Sequence, residues 1–119
     1  MLLRRVVETL PRFTYLFGAE AALHDGIAQV LRGAGVEFER EHVAGPKDRF
    51  DFLLPGGIVI EAKVAGSMPE ALRQCLRYVE RTDVSAVVLV ASRAWAKGSH
   101  TRSFSGKSIH IVHLRGAAF

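Results

Sequence analysis

Asp51, Glu61 and Lys63 stand inside two strongly apolar runs, "RFDFLL" and "GIVIEAKV". Side chains alternate along a strand, so Val59, Glu61 and Lys63 share one face while Ile58, Ile60 and Ala62 share the other. Pro55-Gly56-Gly57 between the runs signals a hairpin. A hairpin centred on Gly56 sets Asp51 opposite Glu61, close enough for their side chains to interact. Adjacent carboxylates repel unless a cation lies between them, and hard divalent ions such as magnesium take such oxygen ligands readily. Lys63 adds a proton donor or a positive charge beside them. Together these are the parts needed to split a phosphodiester: a metal to polarise the phosphate and activate a water, and a cation to steady the developing charge. The competing reading is a cross-strand cluster on a solvent-facing sheet, where ion pairs contribute only a few tenths of a kcal/mol.

The elements that must position these residues are legible around them. In "AEAALHDGIAQVLRGAG", Leu23, Ile27, Val30, Leu31 and Ala34 recur at helical spacing, and Gly33 and Gly35 mark the stop. "VEFEREHV" alternates as a strand ahead of the two runs. Met68, Ala71, Leu72, Cys75, Leu76 and Val79 form the apolar arc of a second helix, with Pro69 suited to its first turn. "VSAVVLVAS" is a continuous apolar run of strand length, expected to be covered on both faces. "SIHIVHL" reads as the last strand, after a basic loop from Arg93 to Lys107. A further short helix is expected over residues 1–10, ended or redirected by Pro11. The expected fold is α/β, a central mixed sheet flanked by helices.

The whole chain bounds what such a site can serve. Its 119 residues suffice for one domain with one core, and 49% apolar residues exclude a disordered tail. A formal charge of +4 and a pI near 9.7 make an anionic partner plausible. The lone Cys75 forms no internal disulfide, in keeping with a reducing compartment. Arg4 and Arg5 follow Leu2 and Leu3 at once, so a signal-peptide core is absent there, and no apolar run is long enough to span a bilayer. A soluble cytoplasmic protein with no membrane partner is expected.

"FDFLLPGGIVIEAK" resembles the core of the PD-(D/E)XK nuclease superfamily, with Asp51 as the motif's aspartate and Glu61-Ala62-Lys63 as its (D/E)XK. Phe50 stands where the name has proline, a position that often varies. The resemblance runs from the helix around Leu23 to the strand ending near Ser92. It implies a restriction-endonuclease-like αβββαβ core and hydrolysis of DNA, with RNA left open. Magnesium or manganese would be held by Asp51, Glu61 and the Ala62 carbonyl, and Lys63 would position or activate the attacking water. Small stand-alone members include Holliday-junction resolvases, so branched DNA is one expected substrate. A nucleic-acid-binding or assembly module without turnover is the alternative. Many members also carry a glutamate on the first helix. Glu20 lies on the extension of the buried stripe, where a metal would compensate it, or else it is a solvated first-turn residue favoured by the helix dipole.

Other residues extend the reading. His24, one turn after Glu20, either faces the same cleft or is a satisfied structural histidine. Gln74 and Tyr78 form a Q-x-x-x-Y pair similar to one in some RecB-like nucleases, which implies that they touch substrate; the other reading is a surface Gln beside a half-buried Tyr. Arg73, Arg77 and Arg81 form an i, i+4 row, either a solvated face or a track for a phosphate backbone. Arg93, Lys97, Arg102 and Lys107, interleaved with Trp95 and Phe104, suit backbone and base contacts to a nucleic acid, or else belong to an ordinary mobile loop whose Trp95 packs inward. His110 and His113 fall on opposite faces of a regular strand and make a poor metal pair. A homodimer is expected, because twofold symmetry supplies a second site for a second strand.

Overall fold

The computed structural model describes residues 1–98 and 100–117, so Ser99 within the basic stretch lies outside the described residues. Three α-helices, α1 (Leu2–Thr9), α2 (Glu20–Gly33) and α3 (Met68–Val79), pack on a six-stranded mixed sheet. Its strands are β2 (Glu39–Val43), β3 (Arg49–Leu54), β4 (Ile58–Lys63), β5 (Ala86–Ala91), β6 (His100–Phe104) and β7 (Lys107–His113), in the order β2-β3-β4-β5-β7-β6. Two short strands, β1 (Thr14–Tyr15) and β8 (Arg115–Gly116), pair in parallel apart from it.

β4, β5 and β7 run parallel and form the apolar centre; every residue of β5 is buried. That is what a strand covered on both faces requires. α1, the turn that follows it and α2 cover one face through Val6, Leu10, Leu23, Ile27 and Leu31, packed over Phe52, Ile60 and Val88. α3 covers the other through Ala71, Cys75, Tyr78 and Val79, over Val59, Leu89 and Ile111. The small Ala71 and Cys75 let α3 lie close to β5. Ser67 caps α3, its hydroxyl accepting from the Glu70 N–H at 3.4 Å, the Ser-x-x-Glu pattern of a capping box.

The hairpin turn between β3 and β4 needs its glycines. Gly56 and Gly57 both have φ of +79°, and a Cβ on Gly57 would collide with the Asp83 carbonyl.

Two expectations change. The strand expected across "VEFEREHV" forms only over Glu39–Val43, because Val36 is drawn into the core beside α2. The stretch expected as a loop from Arg93 to Lys107 contains a 3-10 turn, Ala94–Ala96, and the edge strand β6. β6 exists because Ser105 and Gly106 both take positive φ, +51° and +77°, closing a two-residue hairpin onto β7. The N-terminal helix is redirected at Pro11 as expected, passing straight into a 3-10 turn over Leu10–Arg12 where the missing N–H of Pro11 costs nothing.

Candidate functional site

β3 and β4 part where the carboxylates meet. The ladder pairs Leu54 with Ile58, Leu53 with Val59 and Phe52 with Ile60, the register a Gly56-centred hairpin demands. One residue further on, side chains replace main-chain partners. The Asp51 N–H donates to Glu61 Oε1 at 3.0 Å, and the Ala62 N–H donates to Asp51 Oδ2 at 2.8 Å. The two acids therefore meet as reciprocal caps of an opening fork. Part of the cause lies in β2. Glu41, with φ of +49°, lies across from Asp51 between the pairs Arg40–Phe52 and His42–Phe50. Around it the alternation of β3 slips: Phe52 joins the α2-side core and Phe50 the α3-side core.

Glu61 is 2% exposed. Burial, and then the charge of Asp51, raise its pKa to about 8 from 4.5; the Asp51 N–H and Lys63 act in the opposite direction. A buried carboxyl of this kind ionises fully near neutrality only if a cation joins it.

On the α2 side, Asp51 meets Glu20 and His24, which sit one helical turn apart. A ligand atom from each of the three lies within 4.8 Å of the others. His24 Nε2 is 3.4 Å from Asp51 Oδ2, but the two are not aligned as a hydrogen bond, and this buried nitrogen has no hydrogen-bond partner among the described residues. Contact with Asp51 raises the His24 pKa above 6.5, with burial opposing it. Two carboxylates and an imidazole form a donor set for a divalent ion, and an ion there would give the orphaned Nε2 its partner. His24 thus faces the cleft, an outcome its i, i+4 spacing from Glu20 allowed but did not distinguish from a structural role. Glu61 and the Ala62 carbonyl, expected as ligands, fall outside this cluster of three. Glu61 Oε1 takes the Asp51 N–H, while the Ala62 carbonyl points to the same strand edge as its N–H, into the fork.

Two cavities flank the fork. One, of about 400 Å³, opens between the three-residue cluster and Arg40, Glu41 and Arg49. The other, of about 370 Å³, lies toward α3, against Lys63, Gly66, Ser67, Arg73 and Gln74. Asp51 lines the first and Lys63 the second.

The expected substrate contacts divide. Gln74 Nε2 donates to the Tyr78 hydroxyl at 3.0 Å, and that hydroxyl donates to the Arg49 carbonyl at 3.2 Å, so the pair ties α3 to the start of β3. Tyr78 is buried, edge-on to Phe50, and presents no surface to a ligand; Gln74 also lines the α3-side cavity. Lys107 is at the opposite end of the sheet from Lys63. Its ammonium donates to the Val79 and Arg81 carbonyls at 3.0 and 2.7 Å, capping the carboxyl end of α3. Arg93 and Lys97 are exposed just beyond β5, at the Lys63 end of the sheet, where the Ser92 N–H reaches the Lys63 carbonyl at 3.2 Å. Arg102 is exposed on β6. Trp95 is half-buried and donates to the Gly66 carbonyl at 3.2 Å, tying the turn after β5 to the loop after β4.

The arginine row is exposed at Arg73 and Arg77, as a solvated face would be, but two of its three members are tethered. Asp48 holds Arg77 at 2.9 Å and Arg81 at 3.1 Å, and Arg81 also binds Asp83 and the Ala44 carbonyl. Contact with Arg77 first, then Arg81, keeps the Asp48 pKa below its ordinary value. Arg73 alone of the row enters no ion pair among the described residues.

Set beside known proteins, the chain matches no family model, no curated protein and no solved structure.

Proposed function

We propose that the protein is a divalent-metal-dependent nuclease of the PD-(D/E)XK type acting on DNA. The observation that carries this reading is the buried, unpartnered Nε2 of His24 between Glu20 and Asp51. It lies at a fork where Glu61 and Lys63 follow two residues apart, and the succession α2, β2, β3, β4, α3, β5 has the order of the family's core. Glu20, His24 and Asp51 would hold the ion, with Glu61 and the Ala62 carbonyl close by in the fork. The imidazole suits Mn²⁺ at least as well as Mg²⁺, while the carboxylates suit both. When bound, the ion supplies Lewis-acid polarisation of a phosphate and a lowered pKa for a water.

The remaining steps belong to the chain's own groups. Asp51 is fixed by the Ala62 N–H, so one oxygen is oriented before anything binds. Glu61, buried beside it, stores or releases a proton as the local charge changes. Lys63 places a positive charge on the α3 side of the fork, across from the cluster that would hold the ion. Arg49, two residues before Asp51, lines the metal-side cavity and presents a guanidinium to a phosphate there. Arg93, Lys97 and Arg102 offer cations to the backbone beyond. The proposed action is endonucleolytic, on branched or junction DNA, by a homodimer whose second copy cuts the second strand. Analytical ultracentrifugation at micromolar concentration tests the dimer; a monomer that cuts both strands removes it.

A second reading, a nucleic-acid-binding module without turnover, is favoured by one feature: Asp51 and Glu61 already serve the fold as acceptors of main-chain N–H groups. Incubation with plasmid, single-stranded DNA, RNA and a four-way junction, each with and without Mg²⁺ or Mn²⁺, separates the two. Metal-dependent cleavage supports the nuclease, and binding without cleavage supports the module.

A further inference from the structure

We propose that the cavity between β4 and α3 is a second phosphate site, taking a backbone phosphate of the strand whose neighbouring phosphodiester lies at the Glu20–His24–Asp51 cluster. This rests on the nuclease reading for its substrate, but the site is defined by its own residues. Lys63, Arg73 and Arg77 bring three cations to its wall against the single carboxylate of Glu70. Arg77 is held in place by Asp48, whereas Lys63 and Arg73 enter no ion pair among the described residues. With Arg77 matched by Asp48, Lys63 and Arg73 stand against the one carboxylate of Glu70, and a bound anion relieves the repulsion between them.

The chemistry on the wall selects phosphate. Arg73 offers a planar fork of donors suited to two oxygens, Lys63 a compact charge, and Gln74 an amide. At about 370 Å³ the space suits a nucleotide portion of a strand and is small for a duplex. Gly66, with φ of +90°, lets the loop after β4 turn sharply into α3, and the Trp95 indole fixes that loop through the Gly66 carbonyl. The site is therefore formed before a ligand arrives. Lys63 links it to the acidic cluster. It is two residues from Glu61 on one strand face, and Glu61 Oε1 takes the Asp51 N–H, so the site abuts the fork that presents Asp51 to the cluster.

The test uses the full chain without added metal and a short single-stranded oligonucleotide as probe, followed by amide NMR, with inorganic phosphate as a parallel probe. The oligonucleotide is expected to shift amides across residues 65–74, whether or not the protein cleaves anything. Arg73→Gln should flatten the salt dependence of oligonucleotide binding by about 0.7 in log–log slope, the increment for one phosphate contact on a single strand. Arg73→Lys should restore most of it, which a purely structural role for Arg73 would not do. In active protein, Arg73→Gln should raise KM with kcat unchanged. Unmoved amides together with an unchanged slope overturn the proposal even if cleavage is observed. Shifts that inorganic phosphate produces and the oligonucleotide does not would also overturn it, in favour of a free-anion pocket. Amide shifts without cleavage of any substrate would sink the nuclease reading and leave this site standing.

Discussion

The main-chain N–H of Asp51 ends on the carboxyl of Glu61, 3.0 Å away, at the point where the β3–β4 ladder gives out. One acid thus supports the strand that presents the other. Glu61→Gln retains an acceptor for that N–H and should fold normally, whereas Glu61→Ala leaves a donor unpaired and should cost about 1–3 kcal/mol. Denaturant melts of the two variants in the absence of metal check the difference.

The same residue sets a pH dependence. The Glu61 pKa is raised in the fold to about 8 from 4.5. The native state therefore holds a proton that the unfolded chain has released, and stability falls as pH rises between those values. Metal-free wild type should lose stability on going from pH 5 to pH 8, and Glu61→Gln should lose less. Parallel slopes for the two proteins would show that Glu61 contributes none of the dependence.

Metal binding distinguishes the three proposed ligands from their surroundings. Calorimetric titration with Mn²⁺ should find one ion per chain. Glu20→Gln and His24→Ala should each weaken it by about tenfold or more, the lower range seen when even supporting groups of metal sites are removed. Affinity should fall as pH drops, because a proton competes for His24 Nε2 and Asp51 raises the His24 pKa. If Glu20 only favours the end of α2, its variant will lose a few tenths to about 1 kcal/mol of stability and leave the titration unmoved.

Asp48 predicts a purely structural effect. It draws Arg77 and Arg81 together, and Asp48→Asn should destabilise the fold by about 1–2 kcal/mol without altering metal affinity. Its pKa is lowered in the fold, so this contribution is present above 3.8 and lost as pH falls through the folded value. A loss of metal binding in this variant would mean that Asp48 acts on the site.

Much of this fold was legible because its signals are local. Leu23, Ile27 and Leu31 lie buried on one stripe of α2, and the Pro55-Gly56-Gly57 turn sets the register that brings Asp51 to Glu61. The edge strand β6 was hidden by its polar "HTRSF" sequence, although the Ser105-Gly106 turn carried a hairpin signal. The fork could not be read, since nothing in the propensity of Glu41 announces a φ of +49°. Nor could the tethering of Arg77 and Arg81, whose partner Asp48 lies 29 and 33 positions away in sequence. His24 was ambiguous for a related reason: helical spacing put it beside Glu20, but only the packing of α2 on the fork brings it to Asp51.

Cleavage itself tests the central claim most directly. Wild type, Asp51→Asn and Lys63→Ala should be incubated with four-way-junction, plasmid and single-stranded DNA in Mg²⁺, Mn²⁺ or chelator, beside melting curves of each protein. The expected result is metal-dependent cleavage by wild type and its loss in both folded variants. Cleavage that survives unchanged in both variants, or in chelator, would contradict a metal-dependent site built on Asp51 with Lys63 beside it.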